Sequence, residues 1–287
     1  MVWLRRAGVF LVEAKSGPCL GGAMETIEID GLRIAYQRAG DGPPLVLLHG
    51  GVGDGPATWR HQIEGLCGEF TVVAWDAPGA GQSSDPPESF GMAGYADCLA
   101  GVVRGLRLQR PHVAGLSFGG ALALEFCRRH PAIPRTLILA SAYAGWGGSL
   151  PVDVADQRLR QALALADLPP EELAGTLLPT MFAGATPPED VDEFAASMRA
   201  FHPAGVRAMA RACAEDLRGA LPHIAVPTLL VYGGKDERAP LAVAEDLQAA
   251  MAGSALVVLP DTGHACNIEA AEAFNGAVRN FLRAQHN

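Results

Sequence analysis

Short runs of apolar residues alternate with longer segments of helical spacing along most of the chain. The runs contain almost no polar positions, which is typical of parallel strands buried on both faces. This alternation predicts an α/β fold, with a mostly parallel central sheet flanked by helices. The predicted strands are Thr26–Asp30 and Arg33–Gln37, which form an opening hairpin, and then Leu45–Leu48, Thr71–Trp75, His112–Ala114, Thr136–Ala140, Thr228–Tyr232 and Leu256–Leu259. The predicted helices are Met92–Leu106, Gly120–Arg129 and a closing helix from Ile268 to about Arg283.

One long segment interrupts the alternation. Between Gly145 and Leu221 the chain has no β-type run, only helical patterns rich in Ala, Leu and Met and broken by prolines. We interpret residues 145–221 as a helical cap inserted into a core domain of residues 24–144 and 222–287. An independent second domain is the alternative, since a segment of this length can just hold a core of its own. Residues 1–23 are predicted to be a disordered N-terminal extension.

The composition excludes several classes of function. The net charge of -9 argues against nucleic-acid and anionic-membrane binding, because both need basic patches. The apolar run Ala7–Val12 near the start of the chain is too short for the core of a signal peptide, and no segment reaches the length of a membrane span.

The six cysteines lie without close pairs and are interpreted as reduced thiols. We therefore expect a cytoplasmic protein, with no metal site because no metal-ligand spacing occurs.

The segment VAGLSFGGALALEF, residues 113–126, contains the pattern G-x-S-x-G around Ser117. This pattern is typical of a sharp turn from a strand into a helix, with the serine at its tip. Side chains in place of Gly115 and Gly119 would collide with the neighbouring strand and helix, which explains the glycines. On these five residues alone, a glycine-rich loop whose serine caps a helix is an equally good interpretation.

Three further loops carry polar groups directly after predicted strands. They contain residues 49–51, with the letters HGG, then Asp236 and then His264. In an open parallel sheet, the loops at the carboxyl ends of the strands hold the ligand and the chemistry. A serine followed along the chain by an aspartate and a histidine is one order in which the hydrolytic triad recurs. The hydroxyl needs a base to take its proton, and the imidazole needs a carboxylate to orient it.

Five motifs together resemble the α/β-hydrolase fold superfamily, from about Glu25 to the C-terminus. They are LLHGG (47–51), WDAPGAGQSS (75–84), GLSFGG (115–120), GGKDERAP (233–240) and GHACNIE (263–269). The segment interpreted as the cap carries no recognisable motif of the family. The resemblance implies an α/β-hydrolase fold with an inserted cap, and it implies that no cofactor takes part.

The resemblance also implies a role for each residue of the site. Ser117 would be the nucleophile, Asp236 the triad acid and His264 the base. The oxyanion hole would consist of the backbone N–H of Phe118 and of a residue in the HGG loop, for which we select Gly51. Hydrophobic side chains of the cap, in particular Trp146, Met181 and Phe182, are expected to bind an apolar acyl substrate.

Other residues could compete for these roles. His49 resembles the structural histidine that braces the oxyanion loop in this family. Asp76 belongs to the pattern DxPGxGxS, which is a structural turn in the family, and Asp261 is placed to cap a turn. Cys266 lies two residues from His264, but we interpret it as a buried and inert thiol rather than a reactive one.

The identity of the nucleophile limits the reaction. Relatives that open epoxides or displace halides carry aspartate where this chain has Ser117, so we expect acyl chemistry instead. The leading interpretation is a serine hydrolase that cleaves a small or medium, largely apolar carboxylic ester or lactone. A hydrolase of the C–C bond in meta-cleavage-type diketones is the enzymatic alternative. A small-molecule receptor that keeps the triad but signals through a partner is the alternative from another class.

Overall fold

The computed structural model describes residues 22–184 and 186–285, so residues 1–21 of the predicted extension lie outside the described part. Its strands are β1 (Met24–Ile29), β2 (Leu32–Ala39), β3 (Pro44–Leu48), β4 (Thr71–Trp75), β5 (His112–Leu116), β6 (Thr136–Ala140), β7 (Thr228–Gly233) and β8 (Ala255–Leu259). They form one sheet in the order β1-β2-β4-β3-β5-β6-β7-β8. The β1–β2 and β2–β4 pairs are antiparallel, and the other neighbouring pairs are parallel. The predicted fold class is confirmed, and every predicted strand overlaps an observed one.

Helices cover both faces of this sheet. They are α1 (Gly55–Leu66), α2 (Gly91–Gly105), α3 (Phe118–Arg129), α4 (Trp146–Ser149), α5 (Val152–Leu165), α6 (Pro170–Leu177), α7 (Pro188–Arg199), α8 (Pro203–Cys213), α9 (Leu241–Ala250), α10 (Cys266–Glu269) and α11 (Ala271–Ala284). The prediction of one closing helix is wrong, because the backbone leaves helical geometry at Ala270 and separates α10 from α11. The prediction also missed α1 and α9. No helix in the described ranges has the length and apolar character needed to cross a membrane.

The alternation of side chains along each strand explains why the strands are apolar throughout. Val46 and Leu48 of β3 belong to the hydrophobic cluster on one face of the sheet. Leu45 and Leu47 of the same strand belong to the cluster on the other face, and all four are buried. Successive residues of a strand point to opposite faces, so a sheet covered on both faces leaves no position for a polar side chain.

The chain between β6 and β7 contains helices and no strand among its described residues. We call residues 146–223 the helical insertion; it holds α4 to α8 and two 3₁₀ turns, Leu178–Thr180 and Arg218–His223. Part of the insertion has its own apolar cluster, which includes Leu173, Phe194 and Met198 and also takes in Ile268 from α10, which follows β8. The insertion therefore packs at the carboxyl ends of the parallel strands.

The cysteines divide into two groups. Four of them are free and buried: Cys98, Cys127, Cys213 and Cys266. The prediction of reduced thiols holds for these four and is wrong for Cys67, which is disulfide-bonded. Cys19 lies outside the described residues. Burial raises the pKa of the Cys266 thiol to about 12, so this cysteine is a poor nucleophile at neutral pH.

Candidate active site

Ser117 occupies a strained turn between β5 and α3. Its backbone has φ 54° and ψ -109°, a combination that residues other than glycine rarely adopt. The turn is held by the backbone N–H of Ser117, which donates to the carbonyl of Ala140 over 2.9 Å. The N-terminus of α3 begins at the next residue and directs its positive end toward the serine. The strained geometry is that of a nucleophile elbow.

Close backbone contacts around this turn require glycine at the neighbouring positions. A Cβ atom on Gly115 would lie 2.1 Å from the carbonyl oxygen of Gly119. A Cβ atom on Gly119 would lie 2.2 Å from the carbonyl oxygen of Leu48, which belongs to the adjacent strand. Both separations are far below van der Waals contact, so the pattern G-x-S-x-G follows from the packing of α3 against β3 and β5.

Asp236 and His264 form a buried pair at the ends of β7 and β8. The Nδ1 atom of His264 lies 2.9 Å from Oδ2 of Asp236 and 3.1 Å from Oδ1. The Oδ1 atom also accepts hydrogen bonds from the backbone N–H groups of Arg238 and Ala239, both over 2.8 Å. Because a carboxylate accepts, Nδ1 of the imidazole carries the proton and Nε2 is left as a hydrogen-bond acceptor.

The environment keeps this pair as a carboxylate beside a neutral imidazole. Burial lowers the pKa of His264, and the attraction of Asp236 only partly offsets this effect. Burial raises the pKa of Asp236, but the attraction and hydrogen bonds of His264 and Ala239 outweigh it, so the pKa lies below its ordinary value. The imidazole is therefore able to accept a proton at neutral pH.

The predicted oxyanion residues lie beside the serine. A methyl group on Gly51 would lie 3.8 Å from Cβ of Phe118, and one on Gly50 would lie 4.0 Å from Cβ of Ser117. Phe118 is the first residue of α3, and the first N–H groups of a helix have no partner within that helix. The loop after β3 and the start of α3 thus both lie next to Ser117.

The competing residues have other contacts. His49 is buried; its Nε2 accepts from the backbone N–H of Ala77 over 2.9 Å, and its Nδ1 lies 2.7 Å from the carbonyl of Gly50. Asp76 accepts from the backbone N–H groups of Gly55 and Gln82, which holds the turn after β4. Asp261 is exposed and pairs with Lys235 over 2.7 Å. None of these three contacts the imidazole of His264 through a hydrogen bond among the described residues.

A cavity of about 80 Å³ joins Ser117 and His264 to the helical insertion. Gly51 and Phe118 line it, and Trp146 and Met181 of the insertion line it as well. The rest of its wall is largely apolar, and it consists of Gly50, Val52, Leu116, Ala162, Leu165, Leu177, Phe194, Val206, Met209, Ala210, Cys213 and Arg238.

Phe182, which we expected to bind the substrate, is not among the described residues that line this cavity. Its ring packs edge-on against Phe194, with the centroids 6.0 Å apart and the planes at 72°. Phe182 borders a different surface pocket, which it shares with Lys235 and Glu237. The neighbouring Met181, which directly follows the turn Leu178–Thr180, lines the cavity instead.

Sequence reasoning missed two residues of the site. Ser141 is buried directly after β6, has φ 45° and helps to lower the pKa of Asp236 by a hydrogen bond. Arg238 lies two residues after Asp236 and is one of the residues that line the cavity. The signal for Ser141 was its place at the carboxyl end of a predicted strand, next to the other loops of the site.

The described residues contain no group of three or more His, Cys, Asp or Glu side chains that could hold a metal ion.

The candidate site consists of a strained serine, a neutral imidazole oriented by a carboxylate, and backbone donors at a helix start. These are the parts needed for nucleophilic attack on a carbonyl carbon.

Comparison with known families agrees with this arrangement. The family model of the alpha/beta hydrolase family matches residues 45–277. The chain belongs to this family. The match spans the β3 loop, the serine turn, the insertion and the loops of Asp236 and His264, so the predicted resemblance is confirmed. The family supports a hydrolase but leaves the bond and the substrate open.

Individual relatives of this alpha/beta hydrolase act on different bonds. A 2-hydroxymuconate semialdehyde hydrolase from Pseudomonas sp. (strain CF600) is 30% identical over 88% of this chain and 91% of its own. A thermophilic esterase from Thermogutta terrifontis, solved with malate bound, has TM-score 0.82 and 30% identity, covering 94% of this chain and 100% of its own. The enol-lactonase from Burkholderia xenovorans LB400 has TM-score 0.81 and 26% identity, covering 90% and 100%.

Proposed function

We propose that this alpha/beta hydrolase is a serine hydrolase that cleaves a carboxylic ester or lactone through an acyl-enzyme intermediate. The observation that carries the proposal is the cavity that the strained Ser117 and the buried His264 both line. The carboxylate of Asp236 orients the imidazole from behind over 2.9 Å. The esterase from Thermogutta terrifontis and the enol-lactonase from Burkholderia xenovorans support this class of substrate.

The proposed acylation begins with attack by Oγ of Ser117 on the carbonyl carbon while Nε2 of His264 takes the hydroxyl proton. The carbonyl π electrons move to the oxygen, and the N–H groups of Gly51 and Phe118 bind the resulting oxyanion. When the oxyanion collapses, the bond to the alcohol oxygen breaks and the imidazolium returns the proton to that oxygen. Water then attacks the acyl-enzyme by the same steps and releases the acid with Ser117 restored.

The helical insertion is proposed to select the substrate as a cap over the serine. Trp146, Met181 and Met209 of the insertion supply apolar wall in a cavity of about 80 Å³. An apolar wall binds the hydrocarbon part of a substrate and excludes water from the reacting carbonyl. This role of the insertion goes beyond what membership of the family implies, and it rests on the proposed function.

A C–C bond hydrolase is the second candidate. The relative from Pseudomonas sp. (strain CF600), which is 30% identical, is named for the hydrolysis of 2-hydroxymuconate semialdehyde. Both reactions need the same serine, base and oxyanion donors, so the triad alone does not separate them.

A panel of substrates tests the proposed reaction. We expect repeated turnover of p-nitrophenyl acetate, p-nitrophenyl butyrate and a five-membered lactone, because their carbonyl carbons suit the serine and its oxyanion donors. A vinylogous diketone of the meta-cleavage type should react at least about tenfold more slowly in kcat/KM, a factor equivalent to about 1.4 kcal/mol. Faster turnover of the diketone would favour the C–C hydrolase. A single stoichiometric turnover of every compound would favour a receptor.

The acid side of the pH profile should reflect the environment of His264. Only the neutral imidazole accepts the serine proton, so kcat/KM falls as the pH falls through the pKa of this group in the free enzyme. Burial lowers the pKa of His264, so the half-maximal rate should lie below the ordinary histidine value of about 6.5. The measurement uses p-nitrophenyl acetate at the isosbestic wavelength of nitrophenol. A midpoint above the ordinary value would contradict the assigned environment.

A further inference from the structure

Arg238 lines the cavity of the site, and no carboxylate of the described residues lies within ion-pair distance of its guanidinium group. None of the ion pairs among the described residues includes it. Its Nη1 atom donates to Oγ1 of Thr180 over 3.1 Å, whereas its Nε atom is buried and has no hydrogen-bond partner. A buried cationic donor without a partner costs free energy, so its presence needs an explanation.

A second arginine lies behind the first. The Nη1 atom of Arg158, on α5, donates to the hydroxyl of Tyr143 over 2.7 Å and to the backbone carbonyl of Arg238 over 3.1 Å. Its guanidinium carbon lies 5.5 Å from the ring centre of Tyr143 and 5.9 Å from that of Trp146. Burial lowers the pKa of Arg238, and the positive charge of Arg158 lowers it further. Two like charges thus lie together, and the carboxylate of Asp236 acts on Arg238 only through space, without forming an ion pair.

The two arginines border the space that leads to the serine. Arg238 lies in the wall of the cavity that Ser117 and His264 line. It also borders a neighbouring pocket of about 450 Å³, to which Arg158 belongs as well. Trp146 and Leu165 are common to both spaces. A substrate bound at Ser117 would therefore share this space with the side chain of Arg238.

We propose that Arg238, with the charge of Arg158 behind it, forms a carboxylate subsite, so that the preferred ester or lactone carries a carboxylate group. This inference rests on the proposed function and names the substrate class of the same site. The Nε side of a guanidinium offers two parallel N–H groups, through Nε and Nη2, which match the two oxygens of a carboxylate. The substrate would then combine an apolar part with one anionic group, rather than being apolar throughout.

Matched substrate pairs test the subsite on each side of the scissile bond. On the acyl side, p-nitrophenyl hydrogen glutarate is compared with the neutral isostere p-nitrophenyl 5-methylhexanoate. On the alcohol side, 4-acetoxybenzoate is compared with 4-acetoxybenzamide. For each pair we measure the ratio of kcat/KM for the charged ester to kcat/KM for the neutral ester. In at least one pair this ratio should be roughly 10- to 100-fold lower in Arg238→Gln than in the unaltered chain. A loss of this size corresponds to a hydrogen bond to a charged group. The intrinsic reactivity of each ester is the same for every variant, so it cancels when the charged-to-neutral ratio is compared between variants.

Three further variants sharpen the comparison. Arg238→Lys keeps a positive charge but loses the paired donors, so it should retain part of the preference. Arg158→Gln should lower the ratio less than Arg238→Gln, since Arg158 acts from behind. Arg160→Gln removes an exposed charge from the same helix, and the ratio should stay within about twofold of the unaltered chain, as for a surface substitution. Labelling of Ser117 by a fluorophosphonate shows that each variant is folded.

The four esters distinguish an absent carboxylate subsite from an absent serine hydrolase activity. If the unaltered chain turns over the neutral esters, but neither pair shows a preference that depends on Arg238, the carboxylate subsite is overturned and the serine hydrolase stands. If the unaltered chain turns over none of the four esters, both proposals are overturned. A ratio that falls equally in Arg160→Gln would also overturn the subsite, because the effect would then be one of overall charge.

Discussion

Replacing Ser117 by alanine should abolish labelling by a fluorophosphonate probe and lower kcat by on the order of 10³-fold or more, as the loss of a catalytic serine does in other triads. The reason is that the chain then has no atom at the tip of the strained turn to form the acyl-enzyme. Backbone donors and the cavity remain, so a small residual rate is expected. The rate is measured with p-nitrophenyl butyrate.

The matched control for this variant is Ser254→Ala. Ser254 lies in the turn between α9 and β8, donates to the carbonyl of Met251 over 2.8 Å and does not line the cavity. Its replacement should leave labelling and kcat within about twofold of the unaltered chain, as for a position away from the site. Full labelling of Ser117→Ala, with an unchanged rate, would show that another residue is the nucleophile.

Replacing Asp236 by asparagine should lower kcat by roughly 10⁴-fold, the loss found when the triad carboxylate of a serine protease is changed in this way. An amide that donates toward Nδ1 of His264 favours the tautomer with the proton on Nε2, and this atom then cannot accept the serine proton. The asparagine oxygen can still accept from the backbone N–H groups of Arg238 and Ala239, so the loop should keep its shape.

The comparison variant is Asp261→Asn. Asp261 is exposed and pairs with Lys235, and an exposed pair of this kind contributes about 0 to 1 kcal/mol. Its activity should therefore match that of the unaltered chain. A fluorophosphonate label that reacts slowly with Asp236→Asn and normally with Asp261→Asn would support the assignment. The opposite order of the two variants would show that Asp236 is not the triad acid.

The strands and the loops of the site could be predicted because the rules that place them are local. A parallel strand buried on both faces must be apolar at every position, as Leu45–Leu48 is, so it stands out in the sequence. The loops that hold Ser117, Asp236 and His264 each follow such a run. The glycines beside Ser117 are visible for the same reason, since only glycine fits where a Cβ would lie 2.1 Å from a backbone oxygen.

The sequence analysis missed the helices α1 and α9 and drew the closing helix as one. α1 begins after Asp54, whose carboxylate accepts from the backbone N–H of Ala57 over 2.8 Å, but Gly55 and Pro56 at its start also fit a loop. The closing helix was drawn as one, since nothing in the letters around Ala270 marks the change of direction between α10 and α11. The break at Ala270 is an error of helix boundaries, which are less certain than the existence of a helix.

The sequence by itself determined the fold class and the loops at the strand ends, because these depend on burial patterns and close backbone contacts within short segments. The resemblance of five short motifs then indicated the family and the candidate triad. Only the tertiary structure decided which side chains of the helical insertion face the serine. Met181 and Phe182 are adjacent and both apolar, yet one lines the cavity and the other packs on Phe194. Arg158 and Arg238 meet from distant parts of the chain. Such contacts depend on how helices pack against the sheet, and no local pattern in the sequence records that packing.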